Sequence, residues 1–257
     1  RVETASTRTK LVGCNVAATT LCSDKLRLYE YLADANIPTV LTETFDPENS
    51  ENLEAGSKSK FPCVIKPRDG AGSLWTFKVA NADELAQATK HLLRDGAGFS
   101  FIRQPFIEGT AVACAAIVTA GQTGKPQNCR IDVLPPCMQI LSTDGRFGYE
   151  GAEFPVQHDS SVETRVERVV RRCCSAITGL SGYVGFDLIV PSNQNIEPII
   201  VEINPRITTG YLLWQKTCHH NLAARMLGRA SGLGVKDDPP LSWKNGPRSI
   251  RISSLSE

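Results

Sequence analysis

An α+β fold is what this sequence predicts, with short strands and amphipathic helices alternating irregularly along 257 residues. Three observations carry that expectation. Apolar runs of strand length, bounded by turn residues, occur at 63–66, 99–103, 111–119, 183–190 and 199–203. Two longer stretches, 82–94 and 160–178, carry helical spacing instead; the second sets Val162, Val166, Val169, Val170, Cys173 and Ile177 on one face. The runs 183–190 and 199–203 are separated only by turn material around Ser192-Asn-Gln-Asn195, the pattern of a hairpin.

In chain order, the first ten residues have no period, and the chain starts at Arg1 without an initiator Met, so the natural protein is expected to begin further upstream. Residues 11–14 read as a short strand. Ser23 can cap a helix over 24–36, whose Asp24 sits at the positive end of the dipole. Pro38 releases the chain into a strand. From 45 to 60 the sequence is polar and broken by Pro47 and Gly56, with helical potential only around 50–55, and reads as a connection. Strand 63–66, loop 67–73 and strand 74–80 follow. Asn81 caps the helix 82–94, strand 99–103 completes a compact α+β unit, and 104–109 forms a hinge-like link to strand 111–119. Further strands are expected near 128–134 and 139–142. After the hairpin come a helix over about 216–227, a Pro-rich tail from 235 and a terminal strand at 249–252.

Composition narrows the function classes. With 28 basic residues against 27 acidic ones and 41% hydrophobic residues, nothing favours nucleic acid or an anionic membrane as partner, while a charged small substrate stays open. There is no apolar run of membrane-spanning length and no signal-peptide core, so the expected location is cytoplasmic. The nine cysteines show no CxxC spacing, which disfavours zinc and a disulfide framework; they read as buried free thiols. His91, His158 and the pair His219-His220 lack the spaced partners of a metal site or triad and read as surface or helix-end residues.

The hairpin carries the chemistry. Folded about Gln194 and Asn195, it opposes Asp187 to Glu202, and alternation along the strand turns Asn204 to the same face as Glu202. Directly opposed like charges repel, so three hard oxygen donors placed there point to a divalent cation; the alternative is a solvated outer face. Lys66 ends a strand and enters Pro67-Arg-Asp-Gly70-Ala-Gly72-Ser73, where two glycines let N–H groups turn around phosphate oxygens. Taken alone, two glycines between strands fit an ordinary hairpin turn equally well; their weight comes from Lys66 and the distant carboxylates. The loop is not a P-loop, because Gly-x-x-x-x-Gly-Lys-Ser/Thr is absent. The link Gln104-Pro105-Phe106-Ile107 offers main-chain groups to a purine edge or is a plain connector. Lys25, on its own, reads as a solvated helix charge.

Taken in order, Asp24-Lys25, Ile65-Lys66-Pro67 with Asp69-Gly-Ala-Gly-Ser73, Gln104-Pro-Phe-Ile-Glu-Gly109, Gly185-Phe-Asp187 and Glu202-Ile-Asn204-Pro-Arg206 resemble the ATP-grasp superfamily, over roughly residues 23–227. Phe147-Gly-Tyr149-Glu-Gly151 with Pro155, and Ile207-Thr-Thr-Gly-Tyr211, look like the carboxylate-amine ligases related to tyramine-L-glutamate ligase of methanofuran biosynthesis. The resemblance implies two α+β subdomains clamping Mg-ATP. Residues 61–107 would be the small subdomain with the phosphate loop and 108–257 the large one with the Mg site. Residues 23–60 would be a linker helix and connection, and 1–22 at most a remnant of an N-terminal α/β domain.

It further implies roles. Lys25 and Lys66 would bind the phosphates of ATP, Gly70, Gly72 and Ser73 would cover them, and Gln104, Pro105, Phe106 and Ile107 would hold adenine. Asp187, Glu202 and Asn204 would coordinate one or two Mg²⁺, with Mn²⁺ able to stand in. Arg206 would meet the transferring phosphoryl group or the acyl phosphate, joining Lys66 as a catalytic residue. The implied reaction is amide formation between a small-molecule carboxylate, glutamate being a candidate, and an amine through an acyl phosphate, within one-carbon cofactor synthesis. A kinase that stops before the amide, and a nucleotide-binding module without turnover, are the alternatives. A homodimer is left open. The chain departs from the pattern where an acid would bind ribose, having Thr110, Ala111 and Val112 after Gly109; Glu108 is the candidate replacement. Arg68, Arg130 and Arg146 read either as spare cations for a second carboxylate or as surface arginines.

Overall fold

A computed structural model describes residues 11–49, 61–96, 98–119, 130–156, 160–231 and 239–251. The expectations for 50–55, Cys129, His158, residue 252 and much of the tail lie outside them. The helices are α1 (Val16–Ser23), α2 (Lys25–Asp34), α3 (Ala82–Asp95), α4 (Ser160–Ala176), α5 (Tyr211–Thr217) and α6 (Leu222–Ser231). The strands are β1 (Glu43–Phe45), β2 (Cys63–Pro67), β3 (Phe77–Val79), β4 (Phe101–Pro105), β5 (Thr110–Thr119), β6 (Arg130–Leu141), β7 (Tyr149–Phe154), β8 (Gly182–Val190), β9 (Ile199–Asn204) and β10 (Arg248–Arg251). They form a four-stranded sheet, β1-β4-β2-β3, and a six-stranded sheet, β10-β7-β6-β5-β8-β9. The α+β expectation holds, with every ladder between these strands antiparallel.

Each sheet buries its apolar faces against helices, which is where most of the stability lies. On the small sheet, Leu85, Ala88 and Leu92 of α3 pack on Cys63, Ile65, Phe77, Val79 and Phe101. One face of the large sheet is covered by α1, α2 and α4, through residues such as Ala18, Leu28, Leu32, Val166 and Val170. The other is covered in part by α5 and α6, with Trp214 fully buried and donating from Nε1 to the Pro135 carbonyl at 2.8 Å. The rest of that second face is left open toward the small sheet. No described helix is long and apolar enough to cross a membrane.

Several expectations are corrected. Residues 11–14 form no strand; Asn15 instead caps α1, its side chain accepting from the Ala18 N–H at 2.9 Å. The next helix is capped by Asp24, not Ser23, with Oδ1 accepting from Leu26 and Arg27 at 3.1 Å. After Pro38 the chain makes a single bridge, Thr39 to Ile200, before β1. The segment read as a linker thus supplies α2, packed with the large sheet, and β1, the edge of the small one. The strands expected near 128–134 and 139–142 are one strand, β6, and β7 is a strand that the apolar pattern does not mark. Pro135 and Pro136 interrupt the apolar pattern, but they oppose the lone Cys114, since Ala113 pairs with Cys137 and Ala115 with Leu134. A bulge is where a sheet tolerates residues that cannot donate. The helix expected at about 216–227 is two helices, α5 and α6, with Cys218 in extended conformation after the first. All eight described cysteines are free and buried, and burial pushes thiols such as Cys22 and Cys137 up to about 12. His91 stacks on Phe77 and His220 meets the Ser242 hydroxyl, and among the described residues neither joins a cluster of metal-ligating side chains.

Candidate active site

The β8–β9 hairpin opposes Asp187 directly to Glu202, as alternation about 194 and 195 requires. A transverse row runs across four strands from Cys137 through Ala113 to Asp187 and Glu202, all on the face open toward the small sheet. Both oxygens of Asp187 are engaged by amides: Asn204 Nδ2 donates to Oδ2 and Gln139 Nε2 to Oδ1, each at 2.9 Å. Burial, then the neighbouring Glu202 charge, push the Asp187 carboxyl up to about 7 from 3.8. Two carboxylates and an amide on one face suit Mg²⁺, a hard cation that takes few protein ligands and completes its octahedron with phosphate oxygens and water. Among the described residues no group of three His, Cys, Asp or Glu side chains converges on a metal position, so this donor set needs outside oxygens.

Two ammonium groups face that pair from the small sheet's side. Lys66, on β2, is 9% exposed, and Lys25, in the first turn of α2, is 7% exposed with Nζ donating to the Gly70 carbonyl at 3.2 Å. Neither makes an ion pair among the described residues. Burial lowers Lys66 to about 8, and Lys25 adds to this against the opposing pull of Glu202 and Asp187. Buried charges without partners are costly, so this is an arrangement that calls for an anion.

The phosphate-loop expectation meets a loop with unusual backbone. Gly70 and Gly72 have φ of 112° and 77°, and the non-glycine residues Ser73 and Trp75 have φ of 58° and 54°. Such conformations are held only where their surroundings over-determine them. Here Arg68 ties the loop to α2, its Nε and Nη2 donating to the two Asp24 oxygens at 2.8 and 2.7 Å, while the Lys25 N–H donates to the Arg68 carbonyl. On the other side Ser73 Oγ donates to the Phe147 carbonyl at 2.7 Å, and the Lys78 N–H to the Gly145 carbonyl at 2.8 Å, joining small sheet to large.

Between the sheets lies a cavity of about 230 Å³ whose walls include Lys25, Lys66, Gly70, Gly72, Ser73, Gln104, Pro105, Phe106, Ile107, Asp187 and Glu202. Eleven of the residues singled out in the sequence thus come together, and Asn204 joins them through Asp187. The link from 104 differs from expectation. Gln104 and Pro105 belong to β4, the buried Gln104 side chain donates to Thr42 Oγ1 at 2.8 Å, and the Phe106 N–H donates to the Pro62 carbonyl. Pro105 has no N–H to offer. The Phe106 ring stacks on Phe147, with Lys78 Nζ 3.7 Å from its centroid.

Two expected residues stay apart. Glu108 is exposed and does not line the cavity, so the structure does not support it in place of a ribose-binding acid. Arg206 is also exposed and off the cavity wall, with Nη1 donating to the Ile207 carbonyl at 3.2 Å. The supposed spare arginines are engaged: Arg68 with Asp24, Arg130 near Asp132 at 3.8 Å, and Arg146 over the Phe77 ring at 3.7 Å. Sequence reasoning missed Gln139, which carries no sequence signal because its reach to Asp187 depends on the pairing of β6 with β5 and of β5 with β8. Tyr149, noted only within a motif, has a buried hydroxyl without a hydrogen-bond partner among the described residues.

Comparison with known proteins agrees with this geometry. Residues 22–210 match the ATP-grasp domain family. A D-alanine–D-alanine ligase of Parabacteroides distasonis is 23% identical over 235 residues, which cover 88% of this chain and 64% of that protein. A tyramine–L-glutamate ligase of Methanocaldococcus fervens is 28% identical over 200 residues, covering 78% of this chain and 50% of that protein. In fold, a biotin carboxylase from Campylobacter jejuni, solved in complex with an ATP analogue, superposes with a TM-score of 0.76 at 18% identity, over 96% of this chain and 55% of the other. The chain spans about half to two thirds of the length of the curated relatives it matches.

Proposed function

Since this chain belongs to the ATP-grasp family, we propose that it carries the ATP-dependent step of a ligase that joins a small carboxylate to an amine. The observation that supports this most is the facing pair: two buried ammonium groups without ion-pair partners among the described residues, Lys25 and Lys66, across a cavity from the opposed carboxylates Asp187 and Glu202. A magnesium nucleotide has the complementary charges, phosphate toward the lysines and cation toward the carboxylates.

On this reading Asp187, Glu202 and Asn204 would hold the cation, which would supply positive charge to the phosphoryl oxygens. Lys66 and Lys25 bind those oxygens, the loop 70–73 covers them with its N–H groups, and Gln104 to Ile107 line the base. No protein nucleophile is needed. The substrate carboxylate attacks the γ-phosphorus, the bond to the bridging oxygen breaks, and ADP leaves with the electron pair. The amine nitrogen then attacks the acyl carbon, phosphate departs, and the amine proton passes to solvent. The chain contributes position and fixed charge. Arg206, exposed and beyond the cavity wall, serves the acyl phosphate only if it swings inward when substrate binds.

The names of the relatives suggest the substrates to try. Magnesium-dependent ADP release is measured across a matrix that includes glutamate with tyramine and D-alanine with itself, with Glu202→Gln as the blank. Release requiring one carboxylate and one amine, with the amide seen by mass spectrometry, is the expected result. Release with the carboxylate alone would indicate a kinase, and ATP bound without ADP formation from any pair would indicate a binding module.

A further inference from the structure

Gln139 sits on β6, two strands away from β8, yet its amide reaches Asp187 Oδ1 at 2.9 Å. Strands in a sheet are about 4.8 Å apart, so the span from β6 to β8 is about 10 Å. Two side chains can bridge it only if the strand between them carries nothing bulky on that face. Here β5 presents Ala111 and Ala113. Resting on the metal-nucleotide reading above, we propose that Gln139 is a positioning residue, which ties up Asp187 Oδ1 across these alanines so that Oδ2 alone is presented to the cation.

The two amides on Asp187 are not equivalent. Asn204 stands on the neighbouring strand β9 and can turn its amide, exchanging a donated N–H for its own carbonyl oxygen as a ligand. Gln139 holds Oδ1 from the far side, across β5. It therefore keeps the carboxylate in one rotamer while Asn204 changes partner. Residues that orient a metal ligand are worth about 10- to 100-fold in metal affinity.

The test uses Mn²⁺ as probe, followed by electron paramagnetic resonance, with a non-hydrolysable ATP analogue and the chain carrying Gln139→Met, close in shape but without the amide. Mn²⁺ affinity should fall at least tenfold, while affinity for the metal-free analogue stays within twofold and the melting temperature changes little. Gln139→Asn, which keeps an amide but is too short to cross β5, should behave like the Met variant and takes its place if that variant does not fold. Equal Mn²⁺ affinity in parent and variants would overturn the role of Gln139 alone. A parent that binds no Mn²⁺ with nucleotide would overturn the site reading and this inference with it.

Discussion

Replacing Asp187 by Asn should change the pH dependence of stability in the metal-free protein. Asp187 has its carboxyl raised to about 7 from 3.8 by burial and by the Glu202 charge. A raised carboxyl favours the folded state while it is protonated and loses that advantage as pH climbs from the unfolded toward the folded value. Each unit of difference is about 1.4 kcal/mol. From pH 5 to pH 8 the unfolded chain gives up its last fraction of a proton early, whereas the folded chain holds one until about 7. The parent should therefore lose on the order of 2 to 3 kcal/mol across this window relative to a variant that does not titrate there. For a chain of this size that is about 5 to 10 °C in melting temperature. In the Asp187→Asn variant the new amide has a single acceptor oxygen and cannot accept from both Gln139 and Asn204. That adds a constant offset, so the fall of the parent-minus-variant difference from pH 5 to pH 8 carries the test. Urea or thermal unfolding in EDTA at pH 5, 6, 7 and 8 measures it. A gap that is the same at pH 5 and pH 8 would refute the reasoning.

Two further outcomes follow from contacts beside the site. Arg68→Ala breaks a partly exposed ion pair with Asp24 and should cost no more than about 1 kcal/mol in unfolding experiments, yet weaken nucleotide binding severalfold, because the loop at 70–73 loses its tether; a large stability loss with unchanged binding would contradict this. Tyr149→Phe removes a buried hydroxyl with no described partner and should be neutral or stabilising by about 1 kcal/mol in urea. Destabilisation beyond that would mean the hydroxyl is satisfied in solution.

The hairpin was legible because side-chain alternation and a short turn leave one register, and that register fixes Asp187 against Glu202. The loop after Lys66 was legible for a related reason: glycines at 70 and 72 announce backbone that other residues avoid, although Ser73 and Trp75 adopt positive φ without any such sign. What escaped was set by tertiary pairing. Gln139 matters only because a bulge at Pro135 and Pro136 keeps β6 in the sheet, and two prolines argue locally for a break. Helix α1 escaped because its eight residues, with Thr19 and Thr20 among small apolar ones, have little amphipathic period; only the Asn15 cap marked it. Arg206 and Glu108 show the converse, where a position in a motif did not predict which way a side chain faces.

The contacts that join the two sheets differ in kind at their two ends. At the α2 end, Asp24 and Arg68 share two charge-assisted bonds, backed by the main-chain bond from Lys25. At the Phe147 end there are two neutral bonds, Ser73 to Phe147 and Lys78 to Gly145. The α2 end carries one bond more, and its main-chain bond outlasts the partly exposed ion pair, so a swing of the small sheet is expected to part the Phe147 end first and to turn about residues 24 and 68. The molecule is in this sense a jaw, with its fulcrum at residues 24 and 68 and its bite at 73 and 147, and on the proposed reading nucleotide would enter and leave from the Phe147 side.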